Sequence, residues 1–227
     1  PLYSSAASDV YKRQHIACGD TKVVPRGEGS GVYFATTGVG LRDKTLQLGL
    51  SRIQAEDVIL VSGPIGDHGI AVMLAREQFG LRGDVRSDAA SVLPLTRVAA
   101  GFAGLRYMRD PTRGGLATVL HELQRATGLG VRVQEARIPV RDPVRSVCEM
   151  LGYDPYYLAC EGRVVAIVAA DQAPALLSRW QQLPQGAQAA IIGRIGPTDP
   201  GGVVLETELG GERMLEELED DPLPRIC

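Results

Sequence analysis

The chain has 227 residues, 44% of them hydrophobic and 22% charged, and a formal net charge of −3. This composition is typical of a globular protein of one or two domains. The small negative charge, with Arg and Lys scattered along the chain, excludes the basic surface on which nucleic-acid binding depends. The sequence also lacks an apolar run of about 18 residues, which excludes a membrane-spanning helix.

The four cysteines, at positions 18, 148, 160 and 227, indicate a reducing compartment. No two of them form a C-x-x-C pair, and the three histidines are distant from them in sequence, so a zinc site is not expected. Four cysteines in a chain of this length are also too few for a disulfide framework. We therefore expect a cytoplasmic protein with free thiols.

Taken in chain order, the sequence alternates between strand and helix patterns. The first fourteen residues show neither pattern, and we expect them to be a non-native leader. Runs rich in β-branched and aromatic residues predict strands at 31–37, 57–62, 105–109, 131–134, 163–170, 189–195 and 202–207. Apolar spacing and capping residues predict helices at 67–79, from Ser87 or Asp88 to 102, at 114–126, at 142–151 and from Asp171 to 182. This alternation predicts an α+β fold of α/β layers, with helices covering one face of a sheet.

Gly19-Asp20-Thr21-Lys22 is the first of four polar clusters. A carboxylate, a hydroxyl and an ammonium in three consecutive residues are suited to a metal–phosphate group, with Asp20 on Mg²⁺ and Lys22 on phosphate oxygens. The same three residues also suit an ordinary surface turn.

The second cluster, SGPIGDHG at 62–69, leads from a predicted strand into a predicted helix. Its glycines allow backbone N–H groups at a helix start to surround an anion. The segment does not match the Walker pattern, and a tight strand-to-helix turn explains it equally well.

The third cluster, RDPTRGG at 109–115, precedes another predicted helix. Asp110 or Thr112 can cap that helix. Two arginines with a carboxylate and two glycines are also the composition of an anion site. Composition alone favours the capping role.

The fourth cluster, Ala159-Cys160-Glu161-Gly162, lies between an aromatic segment and a predicted buried strand. Apolar neighbours would partly desolvate Glu161, which raises the pKa of a carboxyl group and suits it to act as a base or an acid. A glutamate that faces water at a strand edge is the alternative.

The chain ends in PLPRIC, with Cys227 as its last residue. Two prolines block a helix and stiffen the segment, and about nine extended residues reach about 30 Å. A thiol at the end of such an arm has the geometry of a carrier that is loaded at one place and presented at another. A terminus that ends in cysteine by chance is the alternative.

In this order, GDTKVV, SGPIGDHGIAVM, RDPTRGGLATVLHE, an EG-strand segment and a terminal PRIC resemble the HypE family of hydrogenase expression/formation proteins. The resemblance runs from about Ile16 to Cys227. It implies membership of the superfamily of aminoimidazole ribonucleotide (AIR) synthetase, thiamine-monophosphate kinase and selenophosphate synthetase. The fold implied has two α/β domains, and the assembly implied is a homodimer.

The resemblance further implies a carbamoyl dehydratase of nickel–iron hydrogenase maturation. In that activity the terminal cysteine accepts a carbamoyl group from a carbamoyltransferase, HypF. ATP then activates the thiocarbamate oxygen, and loss of phosphate leaves an S-cyanide. The cyanide passes to an iron atom on a HypC–HypD scaffold. The cofactors implied are ATP and Mg²⁺.

By the same resemblance, Cys227 is the carrier nucleophile, Glu161 is the base at the carbamoyl nitrogen, and Lys22 lies at the nucleotide or the developing charge. Asp20 is expected to hold Mg²⁺. The remaining residues expected around the nucleotide and the tail are Thr21, His68, Asp110, Thr112 and Arg113. Cys160 stands where the family usually has Asn, so an amide contact to the tail is lost or replaced.

The family carries a long segment before GDTKVV, and this difference sets the expected domain boundaries. We expect residues 15–47 to be the remnant of an N-terminal AIR synthase-like, ATP-binding domain. Residues 48–218 are then the C-terminal AIR synthase-like domain, and residues 219–227 are a flexible tail that carries the reactive cysteine.

Two other functions stay open on the sequence alone. The first is a sibling ATP-dependent enzyme, such as a selenophosphate synthetase-like protein, which has no need of a C-terminal cysteine. The second is an inactive truncated fragment that retains only the scaffold-binding surfaces.

Overall fold

The computed structural model describes residues 18–28, 33, 35–41, 43–76, 84–198 and 202–218. The chain divides into two compact units, one ending at Thr45 and the other beginning at Leu46. The described part of the first unit consists of exposed turns and irregular segments, without a helix or a strand. All the regular elements described below belong to the second unit.

Seven strands of the second unit form one sheet. They are β1 (Val58–Val61), β2 (Leu105–Arg109), β3 (Leu129–Gln134), β4 (Val165–Val168), β5 (Ala190–Thr198), β6 (Val203–Glu206) and β7 (Glu212–Met214). Their order is β2-β4-β1-β5-β3-β6-β7, and among these described strands only β3 and β6 pair in parallel. Several neighbours in the sheet are distant in sequence, so the connections between them have room for helices.

The described residues contain five α-helices, α1 (Asp67–Ala75), α2 (Leu93–Ala100), α3 (Gly115–Thr127), α4 (Asp142–Leu151) and α5 (Ala173–Gln181). Short 3₁₀ segments lie at Leu50–Arg52, Glu135–Arg137, Pro155–Tyr157 and Pro184–Gly186. Within the described ranges, none of these helices combines the length and the apolar character that crossing a membrane requires.

Helices pack on both faces of the sheet, whereas the sequence led us to expect one covered face. Successive side chains of a strand point to opposite faces. In β1, Ile59 and Val61 belong to the core cluster of α3, and Leu60 belongs to the core cluster of α2 and α5. Both faces are covered because β1 and β4 are continuous apolar runs rather than alternating ones.

Helix α3 illustrates how the sequence specifies its own elements. Its buried residues Leu116, Leu120 and Leu123 recur at helical spacing and face the sheet. The helix ends before Gly128, which has φ +68° and donates its N–H to the Gln124 carbonyl at 2.8 Å. A glycine in the left-handed region is a common helix terminator, and the predicted end of this helix is confirmed.

Most predicted strands are present, with two differences. Strand β7 was not predicted; it follows the turn at Gly210-Gly211 and pairs with β6. In the predicted strand 31–37, residues 33 and 35–37 are described and are not in a strand, and the others lie outside the described residues.

The predicted helix start at Ser87 or Asp88 is wrong. Residues 84–92 are irregular, and helix α2 begins only at Leu93. The Asp88 side chain is used elsewhere, since its Oδ1 accepts the N–H of Glu161, and the bond from the Ala89 N–H to Ser87 Oγ forms a local turn that does not continue into a helix.

Two other helix boundaries also differ from the prediction. Asp171 does not cap α5, which begins at Ala173 after Gln172. Helix α1 ends at Ala75, and residues 77–79 of the predicted helix lie outside the described residues.

We expect replacement of Leu120 by Ala to lower the free energy of unfolding by about 2–5 kcal/mol, because the side chain is fully buried against the sheet. The matched control is Leu209→Ala at the exposed β6–β7 turn, where the change should stay within about 0.5 kcal/mol. Urea denaturation followed by circular dichroism measures both. Equal losses in the two variants would contradict the assigned core.

Candidate functional site

Three strand ends meet at one edge of the sheet and bring three of the polar clusters together. Val61 at the end of β1 and Arg109 at the end of β2 both pair with Val165 at the start of β4. The second, third and fourth polar clusters adjoin these strand ends in sequence. Antiparallel pairing therefore places the three clusters side by side.

The second cluster begins as a buried turn between β1 and α1. The N–H groups of Ser62 and Ile65 donate to backbone carbonyls at 2.9 Å, and that of Gly66 points to Cys160 Sγ at 3.4 Å. Gly66 has φ +83°, in the left-handed region that favours glycine. These N–H groups are used within the protein and are not available to an anion, which favours the turn interpretation of this segment.

A buried group of charges lies beside this turn. Arg163 is only 8% exposed, and its Nε donates to the Pro64 carbonyl at 2.8 Å. The same Nε lies 3.3 Å from Asp88 Oδ2, and Nη2 lies 3.5 Å from Asp67 Oδ2. Arg141 Nε also lies 3.5 Å from that Asp67 oxygen. The two buried carboxylates are thus compensated by the buried Arg163 and by Arg141, whose side chain is 48% exposed.

Asp67 is the first residue of α1, where a negative charge is favourable at the helix N-terminus. Its carboxylate is buried, and neither oxygen has a hydrogen-bond partner in the described part of the chain. Burial raises the pKa of the Asp67 carboxyl above its ordinary value, and the positive charges of Arg141 and Arg163 oppose that shift.

Two of the predicted site residues are attached to a single short segment, residues 87–88. His68 Nδ1 lies 2.8 Å from Ser87 Oγ, and the backbone N–H of Glu161 donates to Asp88 Oδ1 at 3.0 Å. The side chain of Glu161 is exposed. The partial desolvation expected for this carboxyl group is therefore absent, because only its main chain is enclosed.

In the third cluster the Arg109 guanidinium is compensated by two carboxylates. Nη1 donates to Asp110 Oδ1 at 2.9 Å, and Nε donates to Glu122 Oε2 at 3.1 Å. Arg113 is exposed at the same turn. Compensation of Arg109 leaves less of its charge for a bound anion.

Neither Asp110 nor Thr112 caps α3, contrary to the capping prediction. The helix begins after Gly114, which has φ +67°, and no side chain caps its N-terminus. The Asp110 carboxylate is held by Arg109 instead, and Thr112 contributes its backbone carbonyl, which accepts the N–H of Gly115 at 3.0 Å.

The third cluster contacts both the Glu161 segment and the segment that leads towards the C-terminus. The Pro111 carbonyl accepts the N–H of Cys160 at 3.0 Å. Leu218 Cδ2 lies 3.5 Å from the point that a Cβ on Gly114 would occupy. One turn therefore adjoins the predicted base and the root of the C-terminal tail.

Residues 215–217 are anchored before the tail begins. His121 Nε2 lies 2.8 Å from the Leu215 carbonyl oxygen, and the Tyr157 hydroxyl donates to the Glu216 carbonyl at 2.8 Å. An ion pair from α3 holds the next residue as well. The chain is thus held in place almost to the last described residue.

The first cluster lies in the first unit, and its side chains are exposed. Asp20 Oδ1 accepts the N–H of Thr21 at 2.8 Å, and Lys22 follows outside any helix or strand. Oxygen donors of this kind suit Mg²⁺. Among the described residues no three His, Cys, Asp or Glu side chains are grouped so that they could hold a metal ion.

The structure thus brings together the predicted residues His68, Asp110, Thr112 and Glu161, and Cys227 lies outside the described residues. Sequence reasoning missed Arg163 as a member of this site. The available signal was its position directly before the buried strand, since an arginine that is buried requires a carboxylate partner.

The fold and the site together define a layered α/β domain in which turns at three strand ends surround a compensated group of charges. Residues 54–206, more than half of the chain, match the family model "AIR synthase related protein, C-terminal domain". The chain therefore belongs to the AIR synthase-related family.

Individual relatives point to one branch of that family. The chain is 45% identical over 213 residues to the carbamoyl dehydratase HypE of Azotobacter vinelandii, with 93% of this chain aligned. It spans only 62% of that relative's length.

Two solved structures are also similar to this chain. HypE in a HypE–HypF complex is 35% identical, with a TM-score of 0.72 over 75% of this chain and 56% of that one. The hydrogenase maturation protein HypE in complex with ATP is 39% identical, with a TM-score of 0.70 over 77% and 54% of the two chains.

We expect iodoacetamide at about pH 8 to label Cys18 at least about 100-fold faster than Cys148 or Cys160 in the native chain. Burial raises the pKa of Cys148 to about 11 and that of Cys160 to about 12, so their reactive thiolates form only as the pH rises towards those values. Cys18 is exposed. Peptide mapping by mass spectrometry measures the rates, with the urea-unfolded chain as the control. Labelling of Cys160 in the native chain at the rate of Cys18 would show that the Cys160 thiol is not buried.

Gly162→Ala should destabilise the fold by about 3 kcal/mol or more, because an added Cβ would lie 1.9 Å from the Asp88 carbonyl oxygen. Gly49→Ala is the control, since its added Cβ would meet only Ser51 Oγ, at 3.9 Å. That variant should stay within about 1 kcal/mol of the parent. Thermal unfolding compares them, and a Gly162 variant as stable as the control would disprove this close approach.

Proposed function

We propose that this chain is part of an ATP-dependent carbamoyl dehydratase that acts in nickel–iron hydrogenase maturation. The similarity to HypE relatives supports this proposal. The observation that carries it is the turn at 111–114, which contacts both the Glu161 segment and the root of the C-terminal tail.

The length of the tail fits this arrangement. Cys227 is the ninth residue after Leu218 in the sequence. Such a segment spans at most about 30 Å when extended, which is ample for the terminal thiol to return to Glu161. A tether of this length also keeps the thiol at a high effective concentration near its root. Cys227 is thus suited to carry a group between a loading partner and this site.

In the proposed reaction Cys227 carries a carbamoyl group as a thiocarbamate. The amide oxygen is a poor leaving group, and phosphorylation by ATP converts it into a good one with release of ADP. The carbamoyl nitrogen loses one proton to solvent as its oxygen is phosphorylated, and Glu161 takes the second proton as phosphate departs, which leaves the carbon triply bonded to nitrogen. The product is an S-cyanide on Cys227, and its cyanide is transferred to iron.

The cationic and oxygen-bearing groups of the first cluster serve the nucleotide in this proposal. Lys22 contributes positive charge to the phosphates, and Asp20, next to Thr21, holds Mg²⁺, which supplies charge neutralisation when bound. His68, Asp110, Thr112 and Arg113 serve the nucleotide and the arriving tail. Residues 15–47 are then the part of an ATP-binding domain that this chain contains, and residues 48–218 are the second domain.

The exposed side chain of Glu161 matches the needs of a site that receives a mobile arm. Its main chain is held by Asp88, while the side chain stays open to solvent. The arriving tail would cover the carboxylate, and the loss of water would strengthen its interaction with the carbamoyl nitrogen. Catalytic desolvation is then a consequence of tail binding.

The proposed partners follow from the steps before and after dehydration. A HypF-type carbamoyltransferase loads the thiol, in keeping with the HypE–HypF complex of the relative. A HypC–HypD scaffold presents the iron that receives the cyanide. We propose a cytoplasmic homodimer as the working form.

The decisive substitution is Cys227→Ala, with Cys18→Ala as the matched control. We expect the parent and the Cys18 variant, incubated with HypF and its carbamoyl donor, to gain one carbamoyl group on the C-terminal peptide. Addition of Mg-ATP should then remove one water from that peptide, because dehydration converts the carbamoyl into a nitrile. The Cys227 variant should show neither change while it binds ATP like the parent.

Intact-mass and peptide mass spectrometry follow both steps, and calorimetry measures ATP binding. Persistent cyanide formation by Cys227→Ala would overturn the proposal and favour a sibling ATP-dependent enzyme. Absence of ATP binding by the parent would favour a fragment that retains only scaffold-binding surfaces.

A further inference from the structure

We infer that Asp88 is a positioning residue for Glu161, and that its neighbour Ser87 positions His68 in the same way. The role given to Glu161 rests on the proposed function, but the attachment of Glu161 to Asp88 does not. Asp88 acts through the Glu161 main chain and not on the substrate itself.

The attachment is direct and specific. Asp88 Oδ1 accepts the N–H of Glu161 at 3.0 Å, and the two residues are 73 positions apart in the chain. The Asp88 side chain is fully buried, so the hydrogen bond does not compete with water. An N–H bond to a charged acceptor is stronger than one between neutral groups.

The carboxylate of Asp88 is itself fixed by Arg163. Its second oxygen, Oδ2, has no hydrogen bond within the described ranges of the chain but lies 3.3 Å from Arg163 Nε. That same Nε donates to the Pro64 carbonyl at 2.8 Å. Arg163 therefore joins the segment at 87–88 to the turn before α1, and Glu161 is attached to that same framework.

Two glycines permit this close assembly. A Cβ on Gly63 would lie 3.1 Å from Arg163 Nη1, and a Cβ on Gly162 would lie 1.9 Å from the Asp88 carbonyl oxygen. The backbone of the Glu161 segment thus approaches the Asp88 backbone as closely as sterics permit. A side chain at position 162 would force these two backbone segments apart.

Ser87, in the same segment as Asp88, makes a second contact with a predicted site residue. Its Oγ lies 2.8 Å from His68 Nδ1, on the first turn of α1. The adjacent residues 87 and 88 therefore set the positions of two residues that belong to different polar clusters. A displacement of about 1 Å at a reacting group lowers a rate by about 100-fold, so the position of this segment matters for catalysis.

A positioning role and a purely structural role of Asp88 predict different effects for the same substitutions. A buried ion pair is a weak source of stability, and well-packed apolar residues often replace one without loss. A positioning role needs a hydrogen-bond acceptor of fixed geometry at position 88. Asp88→Asn keeps an acceptor oxygen there and Asp88→Ala does not, so the two variants should differ.

The test compares Asp88→Ala with Asp88→Asn in the full chain. We expect Asp88→Ala to lower kcat of ATP-dependent dehydration by about tenfold or more, with KM for ATP and HypF-dependent carbamoylation unchanged. Asp88→Asn should stay within about threefold of the parent. A kcat of Asp88→Ala equal to that of the parent, or equal losses in both variants, would overturn the inference.

Hydrogen exchange at the Glu161 amide provides a reading that does not depend on activity. Asp88→Ala should accelerate it by about tenfold or more, since the acceptor is gone. If Asp88→Ala does not fold, Asp88→Asn decides alone: its Glu161 amide proton resonance should move as the acceptor changes from a carboxylate to an amide. An unmoved resonance would show that Asp88 does not hold Glu161.

Ser87→Ala tests the contact between Ser87 and His68, and the ring ¹⁵N resonances of His68 report on it. We expect these resonances to shift when the hydroxyl partner is removed, and unchanged resonances would refute the role of Ser87. If the parent chain shows no ATP-dependent dehydration, the proposed function is wrong. The hydrogen-exchange and NMR measurements would still decide whether Asp88 holds Glu161.

Discussion

The contact of the buried Arg163 guanidinium with Asp67 and Asp88 is the interaction on which the arrangement of the site depends. It connects the turn after β1, the segment at 87–88 and the start of β4, which are far apart in sequence. Loss of one partner from such a group leaves an uncompensated charge in the interior, which costs more than the pair itself contributes. The three segments are therefore expected to keep their positions together.

The sheet makes this contact possible. Because β1 and β2 both run antiparallel to β4, their ends meet the start of β4 at one edge, and the turns that follow lie side by side. Glycine at position 162 then allows two backbone segments to touch. The hydrophobic packing of helices on both faces holds this sheet edge rigid, so the charged group has a fixed framework on which to assemble.

The site combines rigid backbone with accessible side chains. Glu161 is held by its main chain while its carboxylate is exposed, and the chain is anchored up to residue 217 by contacts with α3 and Tyr157. In the proposed function this division separates two tasks. The domain provides a catalytic group at a defined place, and the tail beyond Leu218 provides movement between partners. Neither task requires a large conformational change of the domain.

The sequence by itself determined the elements and the chemistry of the site in outline. Apolar spacing predicted α3, apolar runs predicted β1 and β4, and the order of the four polar clusters indicated the family. These features are local, so periodicity and composition report them. The assignment of Ser87 and Asp88 as helix caps was wrong, and the group around Arg163 was missed. Those side chains have partners up to 99 positions away, and only the register of β1, β2 and β4 decides which of them meet. Long-range pairing of buried charges depends on the folded sheet, and no local pattern of residues specifies it.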